Sequence, residues 1–132
     1  MLDHISIPVS DFSRATAFYD AVLATVGYRR MKERDGAIGY GHMGEGHPPV
    51  FWILQRQDGS AAPGIGLHIS FRAKDRATVH AFHATALAKG GTDAGAPGPR
   101  PQYTAGFYGA FVFDPDGYKI EAVAREALPQ SS

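Results

Sequence analysis

The chain has 132 residues, no cysteine, and 13 Lys+Arg set against 13 Asp+Glu. That length suits one compact domain with a real core, and the charge balance offers no footprint for nucleic acid or an anionic membrane surface. The missing thiols exclude disulfides, thiolate metal ligands and a cysteine nucleophile; no leader pattern opens the chain and no stretch nears the roughly 20 apolar residues of a membrane span, so a cytoplasmic location is expected.

Residues 2–9 (LDHISIPV) alternate with a period of two, the signature of a strand, and His4 falls on the face opposite Ile5, Ile7 and Val9. Ser10 or Asp11 then caps a helix in which Phe12, Ala15, Phe18, Tyr19, Val22, Leu23 and Val26 make one apolar stripe, and Gly27 stands where a left-handed helix terminus favours glycine. Strands are predicted at 28–34, 37–43 and 49–56, with Asp35-Gly36 as a tight turn between the first two and 44–49 (GEGHPP) as a loop. Residues 58–64 (DGSAAPG) read as a linker. Beyond it the plan repeats: a strand over 65–73, a helix over 75–90 stopped by Gly90-Gly91, and a weaker strand at 92–95. A Pro/Gly-rich passage (96–106), strands at 107–113 and 118–125 joined by the turn DPDG, and a frayed tail at 126–132 complete the chain.

The repetition extends to single residues. Residues 4–27 lie on 68–91 without a gap, and His4/His68, Ile5/Ile69, Ser6/Ser70, Asp11/Asp75, Phe18/Phe82 and Gly27/Gly91 are among the identities. The expectation is an α+β fold of two βαβββ modules, 1–57 and 65–125, together forming one domain.

A duplicated module that places a histidine at the same point in each half can deliver two imidazoles to one symmetric site. Glu121, in a strand otherwise filled by Ile, Ala and Val, supplies a carboxylate. His4, His68 and Glu121 are therefore the candidate metal ligands: two imidazoles and one carboxylate bind a divalent ion and leave positions open for substrate. Tyr103 and Tyr108 are candidate catalytic hydrogen-bond donors, and Arg100 a candidate partner for an anionic group. Trp52, Phe51 and Tyr40 are candidate walls of an apolar substrate pocket. His42 and His47 flank a glycine-rich loop and read as exposed or at a cleft rim, while His80 and His83 share a helical face expected to meet solvent.

These residues carry a resemblance. The opening DHISIPVSDFSRATAFYDAVLATVGY, the second-module LHISFRAKD and the ending FVFDPDGYKIEAV resemble the vicinal oxygen chelate superfamily, which includes glyoxalase I, bleomycin-resistance proteins, fosfomycin-resistance proteins and extradiol dioxygenases. The resemblance runs from Leu2 to about Arg125. It implies curled mixed sheets around a metal-lined cleft, ligands at His4, His68 and Glu121, a divalent ion (Fe2+, Mn2+, Zn2+ or Ni2+), a small organic substrate with adjacent oxygens, and a homodimer. Glyoxalase-like members take a fourth ligand, usually Glu, from the last strand of the first module; here Trp52 stands at or near that place, with no Asp or Glu from Val50 to Gln57. The resemblance thus implies dioxygenase-like or lyase/transferase chemistry rather than glyoxalase I activity. A non-enzymatic, drug-sequestering protein of the bleomycin-resistance type is the alternative.

Overall fold

The computed structural model describes residues 2–42, 48–56, 58, 59, 61–64 and 66–125. The first module contains β1 (Ile5–Val9), α1 (Phe12–Thr25), β2 (Tyr28–Arg34), β3 (Ala37–His42) and β4 (Phe51–Gln55). The second contains β5 (His68–Arg72), α2 (Arg76–Ala88), β6 (Thr92–Pro99), β7 (Phe107–Phe113) and β8 (Lys119–Arg125). The strands form two four-stranded mixed sheets, ordered β1-β4-β3-β2 and β5-β8-β7-β6. In each, the first strand pairs in parallel with the last and the other pairings are antiparallel.

The repeated residues do the same work in both halves. Asp11 and Asp75 cap their helices, accepting from the backbone N–H of Arg14 at 3.0 Å and of Thr78 at 2.8 Å. Phe18 and Phe82 are fully buried. Gly27 ends α1 at φ 87°, as expected; in the second module the left-handed position is Gly90, at φ 103°, one place before the glycine that aligns with Gly27. α2 thus closes one residue earlier than the repeat implies, and Gly91 falls at a close approach of chain segments. A Cβ there would come within 2.9 Å of the Phe113 carbonyl oxygen and 3.1 Å of the Phe18 ring.

Both helices cover one face of each sheet, and a single core runs through the two modules. It includes Ile7, Val9, Ile38, Tyr40, Phe51 and Ile53 from the first sheet and Ile69, Phe71, Tyr108, Ala110, Ile120 and Ala122 from the second. Phe71 joins the halves, edge-on to Phe51 at 5.4 Å and to Tyr28 at 5.6 Å. A polar seam runs alongside. Ser10 donates to Asp116, the Tyr118 hydroxyl donates to the Pro8 carbonyl at 2.7 Å, and the Tyr19 hydroxyl donates to Asp114 at 2.6 Å. Burial and the Asp114 charge together push the Tyr19 hydroxyl well above the ordinary tyrosine value.

Most element ends shift by one to three residues from the sequence reading, and two of the differences bear on the site. β1 starts at Ile5, so His4 sits just ahead of the strand. β6 runs to Pro99 through a passage read as irregular, with register breaks between Asp93 and Gly95 and between Gly95 and Gly98. It is an edge strand, where prolines and bulges are tolerated because one row of backbone groups has no neighbour to pair with. His47 and the tail 126–132 lie outside the described residues.

Candidate functional site

The helices leave the other face of each sheet open, and strand parity decides what stands on it. In the second sheet, β5 puts His68 and Ser70 there while Ile69 and Phe71 enter the core. Ser70 pairs with Glu121, which pairs with Phe111, which pairs with Gly95, so these four form one row across the sheet. The His68 Nε2 atom lies 3.4 Å from Glu121 Oε1. The His68 ring meets Phe111 at 6.2 Å. Glu121 is 5% exposed, and its Oε2 atom is buried without a hydrogen-bond partner among the described residues. A buried carboxylate oxygen left unpaired is expensive, so Oε2 calls for a partner beyond the described residues, a water or an ion.

The first sheet carries the equivalent row. Ser6 pairs with Trp52, Trp52 with Gly39, and Gly39 with Lys32. Since Ser6 aligns with Ser70, Trp52 occupies the position that Glu121 fills in the second module. Gly39 makes room for the indole: a Cβ there would lie 2.8 Å from the Trp52 ring and from Pro49. Arg34 stacks over Trp52 at 5.3 Å. His4, Ser6, Lys32, Arg34 and Trp52 line a groove of about 380 Å³. His4 Nδ1 is held by Asp3 Oδ2 at 2.6 Å, and its side chain is 52% exposed.

His68 and Glu121 are thus brought together, while His4 stands on the other sheet. Among the described residues of one chain, no three His, Cys, Asp or Glu side chains form a metal-holding cluster. The donor set nevertheless fits a divalent ion: a half-exposed imidazole beside an orphaned carboxylate oxygen, and an equivalent imidazole on the matching open face.

Three expected site residues face the wrong way. Tyr108 is three residues from Phe111 on β7 and therefore projects to the helix side, opposite Glu121. There its hydroxyl meets His80 Nε2 at 2.6 Å. Phe51 and Tyr40 project into the same core, 1% exposed each, and the Tyr40 hydroxyl donates to Asp20 at 2.9 Å. They are core aromatics, and substrate cannot reach them. His83 also departs from expectation, since its side chain is 13% exposed and its Nε2 contacts Asp93 at 2.8 Å. That contact helps hold the Asp93 carboxyl below its usual range. His42 is exposed and packs edge-on against Tyr28 at 4.6 Å.

Arg100 and Tyr103 do lie toward the open side of the second sheet. Arg100 stacks over Phe111 at 5.1 Å and donates to the carbonyls of Ala96 and Gly98, each at 2.9 Å, and of Gly109. The guanidinium chiefly pins the bulged β6 edge. Tyr103, 57% exposed, packs on Phe107 at 5.2 Å. The residues that sequence reasoning passed over are Lys32, Arg34 and Lys119. The first two belong to a basic run, Arg29, Arg30, Lys32 and Arg34, that Glu33 and Asp35 dilute in the sequence. Arg30 of that run is consumed by Asp20 and by Glu33, the latter at 2.7 Å. Lys32 and Arg34, at alternate positions of one strand, turn to the open face.

The sequence profile described as the Glyoxalase/Bleomycin resistance protein/Dioxygenase superfamily matches residues 1–122. No curated protein matches the chain. Among solved structures, a glyoxalase/bleomycin resistance protein from Albidiferax ferrireducens T118 is 32% identical, with a TM-score of 0.82, covering 93% of this chain and 98% of its own. A glyoxalase-related enzyme from Fulvimarina pelagi shares the fold at 19% identity and a TM-score of 0.73, over 100% of this chain and 93% of its own. The fosfomycin resistance protein FosX from Mesorhizobium loti does so at 18% identity and a TM-score of 0.67, over 96% and 92%.

Proposed function

The chain belongs to the glyoxalase/bleomycin resistance protein/dioxygenase superfamily, and from that premise we propose that it is a metal-dependent enzyme acting on a small organic molecule with adjacent oxygens. His68 and Glu121 of one protomer and His4 of a second copy would hold the ion, giving a homodimer two equivalent sites. One observation carries the reading: a buried carboxylate with an unpartnered oxygen stands 3.4 Å from a strand histidine, and the duplicated histidine lies on the other sheet.

A divalent ion bound there would supply Lewis-acid polarisation of the chelated oxygens. The protein's own part is positional. β5 and β8 are paired in register, so His68 and Glu121 are held by a rigid sheet rather than by a loop. Three donors leave positions for both substrate oxygens. Glyoxalase I chemistry is disfavoured, because a proton must be moved by a carboxylate near the substrate, and Trp52 stands where a second carboxylate would. Dioxygenase-like or lyase/transferase chemistry remains. Tyr103, exposed and packed on Phe107, would be the hydrogen-bond donor to bound substrate.

Mixing inactive variants tests the shared site. His4→Ala and His68→Ala homodimers should each retain little metal. After subunits exchange, the heterodimer contains one intact site, so metal content should recover toward a quarter of wild type in an equal mixture. No recovery, in a protein shown by light scattering to be dimeric, would refute ligands drawn from two chains. Wild type that takes up no divalent ion, yet is stabilised by aromatic ligands, would instead mark a sequestering protein.

A further inference from the structure

We propose that the substrate is a planar anion: an aromatic or otherwise unsaturated carboxylate whose ring lies on Trp52 and whose charge is read by Lys32 and Arg34. This rests on the metal-site reading and specifies what the site admits. The groove around His4 is where such a molecule would lie. Its floor is the indole of Trp52, seated where Gly39 has no side chain. A flat aromatic surface beside a proposed ligand favours a flat partner, and that surface occurs in this module only because tryptophan replaces the acid at the position equivalent to Glu121.

Charge supplies the second half. Lys32 stands two strands from Trp52 in the same cross-strand row, and Arg34 lies over the indole at 5.3 Å. Among the described residues, neither cation has a hydrogen-bonded or ion-paired partner, whereas Arg30 on the same strand has two, Asp20 and Glu33. Among the described residues the sole acid lining the groove, Asp3, is engaged by His4 at 2.6 Å. Two unpaired cations along one edge of an aromatic floor are complementary to a carboxylate carried on a ring. An arginine already stacked on the indole can keep that stack and donate its edge N–H groups to a carboxylate in the same plane. On the opposing sheet, Lys119 over Phe111 at 4.9 Å repeats the cation-on-aromatic pairing beside His68 and Glu121.

The protein reports on its own groove, because Trp52 is the single tryptophan. The experiment is a fluorescence titration of full-length protein at low salt in the presence of a chelator. Benzoate is compared with benzamide (the same shape without charge) and with cyclohexanecarboxylate (the same charge without planarity). Benzoate should bind about fivefold more tightly than benzamide, the scale set by exposed ion pairs, and the preference should shrink with added salt. The Lys32→Gln/Arg34→Gln double variant should bind the two equally, while Lys32→Arg/Arg34→Lys should keep the preference. Benzamide binding as tightly as benzoate, or a preference that survives the Gln substitutions, overturns the charge reading. Cyclohexanecarboxylate matching benzoate overturns the planar one. Because no metal is present, this outcome is scored independently of metal recovery in the mixed His4 and His68 variants.

Discussion

If Glu121 is retained for a ligand rather than for the fold, removing it should stabilise the metal-free protein. Glu121→Met keeps the length and approximate volume of the side chain while deleting both carboxylate oxygens. The wild-type Oε2 is buried and unpaired among the described residues, a burden of about 1–3 kcal/mol for a buried polar atom without a partner. Against that gain stands the lost contact with His68, whose side chain is 45% exposed, and a partly solvated pair of that kind contributes only about 0–1 kcal/mol. The net expectation is a stabilisation of about 1–2 kcal/mol. For a chain of 132 residues, unfolding entropies of roughly 2 cal/mol/K per residue convert this to a melting temperature about 4–7 °C higher. The assay is thermal and urea denaturation after chelation, followed by the same melts with a divalent ion. Wild type should gain stability from the ion and the variant should gain none. A metal-free variant that melts below wild type would show that Glu121 is satisfied by the fold itself, and the argument from its orphaned oxygen would fail.

The inter-module seam and the aromatic groove allow three further expectations. Tyr19→Phe removes a 2.6 Å donor to Asp114 inside the core; a hydrogen bond to a charged group is worth roughly 2 kcal/mol, so the urea midpoint should fall accordingly with the denaturant slope unchanged. Asp114 is buried, and that burial raises its carboxyl above the usual 3.8 despite hydrogen bonds from Tyr19 and two backbone N–H groups. A raised carboxyl contributes stability that is present below the unfolded-state pKa and is lost as pH climbs through the folded-state value. The stability of wild type relative to Asp114→Asn should therefore decline with rising pH across that window and level off above it; a difference that grows with pH would contradict the sign. Gly39→Ala places a methyl 2.8 Å from the Trp52 ring, and the indole, only partly buried, can swing outward, so the variant should show red-shifted emission with only a small loss of stability. Unchanged emission would mean that Gly39 is not what seats the ring.

How much of this could be read from the chain depends on where its patterns stay periodic. The repeat located both helices, both caps and the matched histidines, because Asp11/Asp75 and Phe18/Phe82 carry the same physical duties twice. The face of His4 was legible because Ile5, Ile7 and Val9 mark the buried side of β1. Facing failed where both sides of a strand are apolar. FYGAFVF and PVFWIL offer no alternation, so Tyr108 and Phe51 looked as available as Trp52. A signal did exist for one of them. The DPDG turn fixes Phe113 opposite Lys119, which sets Phe111 opposite Glu121 and leaves Tyr108 on the other face. Lys32 and Arg34 were hidden by reading charge as a sum along the run rather than by strand parity. The second half of β6 escaped because prolines lower strand propensity without forbidding an edge.

The two modules are equivalent in backbone and opposite in chemistry at one row, and that contrast supports a last prediction. Ser6–Trp52–Gly39–Lys32 in the first sheet matches Ser70–Glu121–Phe111–Gly95 in the second. The large aromatic and the acid are therefore not interchangeable decorations: each has its neighbour adjusted, a glycine beside Trp52 and Phe111 beside Glu121. Trp52→Glu would place a carboxylate at the position equivalent to Glu121, with Gly39 leaving space and Lys32 and Arg34 close enough to keep it ionised. In a dimer that shares its ligands, the new group approaches the same ion as His4, so metal should be lost to a competing chelator more slowly than from wild type. Benzoate, having lost its aromatic floor, should bind more weakly in a calorimetric titration of the chelated protein. Metal released at the wild-type rate would mean that the first-module row does not face the proposed ion, and the pseudo-symmetric placement of the site would have to be abandoned even if His68 and Glu121 bind metal by themselves.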